Sequence, residues 1–180
     1  APSLTEFGAV QSGSQAYEMA GVGPKDIDFA ELYDCFTIVP IIEAEELGLA
    51  ERGSGGELFA SGETAIEGRL PINTHGGLLS FGHSGAAGGM FHVVEAVRQL
   101  RHDGDKRQVP DAELCFVHGD GGVLSAHCSL NLLPAAKKVM FAFLKSYSPS
   151  SFTCIGFPLK LRDLPLLLAE AIKYKFLICS

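Results

Sequence analysis

Three short stretches of this 180-residue chain gather side chains that can move protons or hydrogen-bond a ligand. The first is Glu31-Leu32-Tyr33-Asp34-Cys35-Phe36. A phenol, a carboxyl and a thiol side by side offer proton donors and acceptors over a wide pKa range. The stretch reads as the junction of a strand with a helix, where side chains at the strand's C-terminal end face the crevice used by α/β ligands. Amides at the start of a helix lower a thiol's pKa or stabilise an anion. The alternative is a buried Cys35 acting as a small hydrophobe beside a helix-capping Asp34. The second stretch runs from Asn73-Thr74-His75-Gly76-Gly77 to Gly82-His83-Ser84-Gly85. Its glycines let backbone amides approach a ligand, and His83 is placed to hydrogen-bond a thioester oxygen or relay a proton. A lone histidine would read as structural; its company of Asn, Gly and Gly favours function. The third, His118-Gly119-Asp120-Gly121-Gly122, is either a tight turn needing positive φ or a loop bringing His118 to the same crevice.

The surrounding elements must position these groups. SGSQAYEMAG predicts a helix closed by Gly21, followed by a turn at VGPKD. IDFAEL predicts a short strand ending at Tyr33. FTIVPIIEAEELGL predicts a helix kinked at Pro40 and stopped at Gly48. Residues 51–69 read as a surface loop. The glycine-rich turn at 75–89 opens into MFHVVEAVRQLRHDG, whose Met90, Val93, Val94, Val97 and Leu100 recur on one helical face. ELCFVHGD and VLSAHCSLNLL predict two final strands joined at Gly121-Gly122, of the kind buried in a sheet. His92 and His127 read as face residues of a helix and a strand. Alternating helices and strands predict a layered α/β domain.

Composition narrows the function classes. A hydrophobic content of 47% supports a sizeable core, and charged residues make up only 19%. A net charge of −7 speaks against nucleic-acid binding. Five cysteines at irregular spacings, with no CxxC pair and no Cys/His zinc pattern, predict free thiols in a reducing cytosol and no metal site. Neither GxGxxG nor a P-loop lysine motif occurs. APSLTEFGAV has no signal-peptide character, and no 18-residue uncharged apolar run predicts a membrane span.

Charge and glycine content shift together near Pro134. Residues 1–133 carry 7 Lys+Arg against 19 Asp+Glu, and 134–180 carry 7 against 2. The first part holds 20 of the 21 glycines. This predicts one domain over 1–133 and an added or frame-altered 47-residue tail. In the tail, KKVMFAFLK and DLPLLLAEAIKYKFLI have apolar residues at helical spacing, which would alternatively suit a membrane-surface or partner-binding helix.

Taken in order, the three stretches resemble the C-terminal domain of the thiolase superfamily. The family's Asn-Glu-Ala-Phe motif falls on Tyr33-Asp34-Cys35-Phe36, preceded by Glu31. Its Asn-x-x-Gly-Gly segment leading into Gly-His-Pro falls on Asn73, Gly76, Gly77, Gly82 and His83, with Ser84 in place of the proline. Its last glycine-rich loop falls on His118 to Gly122. The resemblance covers about residues 14–133. It implies the C-terminal half of the thiolase fold, a layered mixed sheet with helices. It also implies coenzyme A thioesters as substrates, with no covalently bound cofactor. The acid/base Cys that degradative and biosynthetic thiolases carry at the last glycine loop is absent, and Cys115 lies too early. Sterol-carrier-protein thiolases instead place that Cys in a His-Asp-Cys-Phe motif; here Tyr33 replaces the His. Thiolase-like aldolases of steroid side-chain degradation, which place a Tyr in this motif, are more similar still.

The resemblance implies that Tyr33, Cys35, His83 and His118 are catalytic. It implies that Asp34, Phe36, Asn73, Gly76, Gly77, Gly119, Asp120 and Gly121 bind substrate. The family's acyl-accepting Cys belongs to an N-terminal domain, and only 32 residues precede Tyr33. Expected partners are therefore that N-terminal half or a second copy of this chain, and an acyl-CoA-binding OB-fold protein of the kind that serves the aldolases. Three functions are compatible: a lyase or acyltransferase half-site, a non-catalytic acyl-CoA-binding or scaffolding subunit, and an inactive fragment.

Overall fold

The computed structural model describes residues 5–121, 126–132 and 140–144. Its frame is a mixed four-stranded sheet in the order β1-β2-β3-β4, formed by β1 (Phe29–Glu31), β2 (Cys115–Gly121), β3 (Ala126–Leu132) and β4 (Met140–Leu144). β1 runs parallel to β2, with Glu31 beside Val117, and the other two pairings are antiparallel.

Strand alternation turns β2 into a two-sided wall. Leu114 and Phe116 join a core with Ala9, Ala16 and Tyr17 of α1 (Ala9–Ala20) and Ala44 of α2 (Val39–Glu46). Cys115 and Val117 pack instead with Phe29 and with Val93, Ala96 and Leu100 of α5 (Gly89–Leu100). Helices on both sides of one sheet give the layered α/β architecture expected from the sequence.

Local chemistry accounts for the helix ends. Gly21 closes α1 in the left-handed region at φ 69°. Gly8, which begins α1, has no side chain to cap it. Glu46 of α2 accepts hydrogen bonds from the amides of Phe7, Gly8 and Ala9 at 2.7, 3.3 and 2.9 Å instead. Within α1, a Cβ on Gly13 would lie 2.5 Å from Leu47 Cδ2, so the absent side chain lets the two segments meet.

Several expectations are corrected. Pro40 does not kink α2; it sits in the first turn, where its missing N–H breaks no helical bond. Residues 51–69 are not all loop: Gly55–Ala60 forms a short helix, α3, that buries Leu58. Val94 is exposed, whereas His92, Glu95 and Gln99 of α5 are buried. The inward face of α5 is thus partly polar, a pattern that apolar spacing does not reveal. Gly119, Asp120 and Gly121 extend β2 rather than form a turn, and Gly121 pairs with Ala126. The connection at 122–125 lies outside the described residues. In the tail, Met140–Leu144 is a strand on β3 rather than part of a helix. MFAFL is a continuous apolar run, which fits a buried strand as well as a buried helix. The rest of 134–180 lies outside the described residues. Among those described, no helix is long and apolar enough to cross a membrane.

Candidate functional site

The chain leaves β1 at Glu31 and enters the Tyr33–Phe36 stretch alongside residues 71–73. That segment pairs with β1 in parallel, through Ala30 N–H to Pro71 O at 2.9 Å and Asn73 N–H to Ala30 O at 3.0 Å. The Asn73 side chain then continues the pairing as a backbone would. Its Nδ2 donates to Leu32 O at 2.9 Å, and its Oδ1 accepts from Leu32 N at 2.7 Å. Asn73 holds this position at φ 54°, a conformation that asparagine tolerates better than most residues. Its amide group is thereby engaged in joining the first two motifs.

Asp34 makes the second link. It caps α4 (Gly77–Phe81), accepting from Leu78 N at 2.7 Å and Leu79 N at 3.4 Å. The capping role weighed for Asp34 thus exists, but on α4 rather than on the helix that follows it in sequence. Gly77, at φ 65°, has to be glycine because a Cβ there would run into the Asp34 carboxylate. Gly76 precedes it at φ 98°. Burial raises the Asp34 pKa, but the neighbouring His92, 3.5 Å away, and the Leu78 amide outweigh it and leave the carboxyl below its ordinary value.

Tyr33 and His83 meet at the surface. Tyr33 Oη lies 3.1 Å from His83 Nε2, with the rings edge-on at 5.8 Å. The Gly85 amide donates to His83 Nδ1 at 2.9 Å. A neutral His83 therefore carries its proton on Nε2, directed at the phenol oxygen, and the phenol's own proton is free for another acceptor. Burial, then the charges of Cys35 and Asp120, pushes the Tyr33 phenol up. Burial, Asp120 and Glu43 likewise push the half-buried Cys35 thiol up, disfavouring a thiolate. Phe36 is 68% exposed, and Ile38, Leu79 and Phe81 are also exposed large apolar residues.

His118 is not in this surface pair. It is fully buried on the α1 face, with Nδ1 2.8 Å from Ser129 Oγ, which in turn lies 2.9 Å from Ser12 Oγ of α1. Its Nε2 stands 3.7 Å from Glu43 Oε1, and Glu43 Oε2 accepts from Tyr33 N at 3.1 Å. Glu43 therefore connects His118 to the Tyr33 backbone. Burial, then the Asp120 charge, raises the Glu43 pKa well above its ordinary value.

The structure also brings together residues to which the sequence assigns no chemical role of their own. Glu31, at the end of β1, is fully buried. Its Oε2 lies 3.1 Å from His92 Nδ1 and 3.0 Å from His75 Nδ1, while its Oε1 is approached by Thr74 N at 3.1 Å and Thr74 Oγ1 at 3.0 Å. His92 Nε2 stands 3.5 Å from Asp34 Oδ1. Glu31, His75 and His92 together have the donor set of a metal site. Their separation, 61 positions from Glu31 to His92, hides the cluster in sequence; the available signals were a carboxylate among the apolar residues of a strand and a histidine at an inward helical position. Glu43 carried a similar signal, as an acid among Val39, Ile42 and Leu47.

This geometry can now be set beside known proteins. The family model for the thiolase C-terminal domain-like family matches residues 1–133. An acetyl-CoA acetyltransferase of Methanothermobacter thermautotrophicus is 42% identical over 121 residues, which are 66% of this chain and 32% of that protein. Sterol carrier protein 2 of Rattus norvegicus is 40% identical over 111 residues, covering 62% of this chain and 20% of the relative. The 17-hydroxy-3-oxo-4-pregnene-20-carboxyl-CoA lyase of Mycobacterium tuberculosis is 43% identical over 98 residues, 54% of this chain and 24% of the lyase. The chain thus spans a third or less of the length of these relatives. Among solved structures, an Ltp2-ChsH2(DUF35) aldolase aligns with a TM-score of 0.57 and 38% identity over 61% of this chain and 28% of the aldolase chain. With a matching model over residues 1–133 and the layered sheet the resemblance implied, the chain belongs to the thiolase C-terminal domain-like family.

Proposed function

We propose that this chain supplies the C-terminal half of an acyl-CoA carbon–carbon lyase site, with Tyr33 as the proton-transfer group and His83 as its partner. The Tyr33 Oη to His83 Nε2 contact at 3.1 Å carries the reading. In a retro-aldol cleavage the Cα–Cβ bond of a β-hydroxyacyl-CoA breaks as its β-hydroxyl becomes a carbonyl and releases its proton to water, leaving a shorter thioester enolate that must gain a proton at Cα. A phenol that burial keeps protonated, with its own hydrogen unclaimed by His83, is suited to donate it. The Nε2–H of His83 then stabilises the resulting phenolate. The acyltransferase variant, with Cys35 as acid/base, is less well supported because that thiol's pKa is raised rather than lowered. His118 and Asp120 act from behind the pair, through Glu43 and through charge.

The likeness to an aldolase solved with a DUF35 protein, and to a CoA lyase, supports this choice. So do the exposed Phe36, Ile38, Leu79 and Phe81, an apolar surface suited to a covering thiolase N-terminal half or a second copy. In this reading residues 1–133 carry the function, 134–180 contribute no site residue, and a DUF35-type protein is the further partner.

The test is cleavage of a β-hydroxyacyl-CoA by this chain assembled with a thiolase N-terminal half. Tyr33→Phe should lower kcat by about 10²–10⁴-fold, while Cys35→Ser should leave it within the same order of magnitude. The reverse pattern would assign the chemistry to Cys35 and make the chain an acyltransferase half.

A further inference from the structure

We propose that Glu31, His75 and His92 hold a divalent cation of the zinc class beneath the Tyr33 motif. The three come from different elements: the end of β1, the turn after Asn73 and the inward face of α5. Their candidate ligand atoms lie within 4.8 Å of one another, with Glu31 Oε2 3.0 and 3.1 Å from the two Nδ1 atoms. Zinc binds imidazole and carboxylate at about 2.0–2.2 Å, which sets neighbouring ligand atoms about 3.4 Å apart in a tetrahedral site. The two Glu31 contacts are thus within a few tenths of an ångström of that spacing.

Two further observations point to a cation. The side chain of His75 is 4% exposed, and neither of its ring nitrogens makes a hydrogen bond, although Nδ1 approaches Glu31 at 3.0 Å. A buried polar atom left without a partner is costly, and a nitrogen lone pair facing a carboxylate adds repulsion unless a positive charge lies between them. The surroundings also match the outer shell of metal sites. Thr74 N and Oγ1 approach the other oxygen of Glu31 at 3.1 and 3.0 Å, and Asp34 stands 3.5 Å from the far nitrogen of His92. Arg107 does not bridge the cluster: its guanidinium hydrogen-bonds Glu95 at 2.8 and 3.0 Å and reaches Glu31 only through space. A proton is the competing bridge, making His92 an imidazolium between Glu31 and Asp34. That arrangement accounts for His92 but leaves both nitrogens of His75 unbonded.

The two are separated by metal binding alone, without reference to acyl-CoA chemistry. The full chain is stripped with a chelator, titrated with zinc, and analysed for bound metal; cobalt(II) reports coordination through its visible d–d bands. One zinc per chain and a tetrahedral cobalt spectrum are expected. His75→Asn and His92→Gln should abolish both, and Thr74→Ala should weaken affinity roughly 10–100-fold. His102→Asn, which removes an exposed histidine of the turn after α5, should change nothing. Far-ultraviolet circular dichroism verifies that each variant is folded, and His75→Asn carries the test if His92→Gln does not fold. Retention of much less than one zinc by the wild-type chain, or equal binding by wild type and a folded His75→Asn, would overturn the site and leave the proton as the bridge.

Discussion

Two glutamates on opposite faces of the sheet are both fully buried, yet their surroundings differ sharply. Glu31, on the α5 face, lies within 3.0–3.1 Å of two groups of Thr74 and one nitrogen each of His75 and His92. Glu43, on the α1 face, receives one amide hydrogen bond from Tyr33, with His118 at 3.7 Å, and senses the negative charges of Asp120, Asp34 and Glu46. Burial is therefore not what distinguishes them. Thr74 and two histidines surround Glu31, whereas at Glu43 burial, joined by the charges of Asp120, Asp34 and Glu46, pushes the pKa well up, so that the protonated form is favoured.

The largest effect should come from removing Glu31. Glu31→Ala strips the acceptor from Thr74 and His92 inside the core, and a cost of about 3–5 kcal/mol is expected in urea unfolding. Glu43→Gln preserves volume and an oxygen for Tyr33 N, so it should cost less than about 1 kcal/mol at neutral pH. Equal costs would break the contrast between the two carboxyls.

Next in size is Gly77→Ala. It introduces a Cβ into the Asp34 carboxylate at φ 65°, and should destabilise by more than about 1 kcal/mol. Asp34→Asn in the same background should recover little, because the positive φ remains.

The pH dependence sharpens the comparison from the Glu43 side. A carboxyl whose folded pKa is raised binds its proton more tightly in the native state than in the unfolded one. Its contribution to stability is full below the ordinary value of 4.5 and is lost as pH rises through the raised folded value. Denaturation midpoints measured from acid to alkaline pH should fall with a slope that Glu43→Gln removes. An unchanged slope would mean that Glu43 is ionised in the fold.

The smallest effect is expected at the surface. Arg52 and Glu6 pair at 3.0 Å with side chains 65% and 48% exposed, so Arg52→Ala should shift stability by about 0–1 kcal/mol in thermal melting, and less at high salt.

Much of the scaffold was legible because it rests on local rules. The helix closed by Gly21 follows from φ > 0 at its C-cap, and the ELCFVHGD strand from its apolar run. The motif stretches at Tyr33–Phe36 and Asn73–His83 were legible because unusual residue types stand close together. Less was legible where the pattern is ambiguous. MFAFL gives the same apolar signal as a helix or a strand, and the inward face of α5 is partly polar.

What the sequence determined by itself was therefore the layered α/β class, the three motifs and their resemblance, since each depends on neighbouring residues and short-range sterics. Tertiary structure alone decided which motif groups meet. It paired Tyr33 with His83 across 50 positions, sent His118 inward to Ser129, and made Asp34 the cap of α4 rather than of α2. It also gathered Glu31, His75 and His92 into one buried cluster. Such contacts depend on how strands register and on which face of a helix turns inward. Buried polar groups then take whichever partner that packing brings within reach, because leaving them unpaired costs more than any local preference supplies.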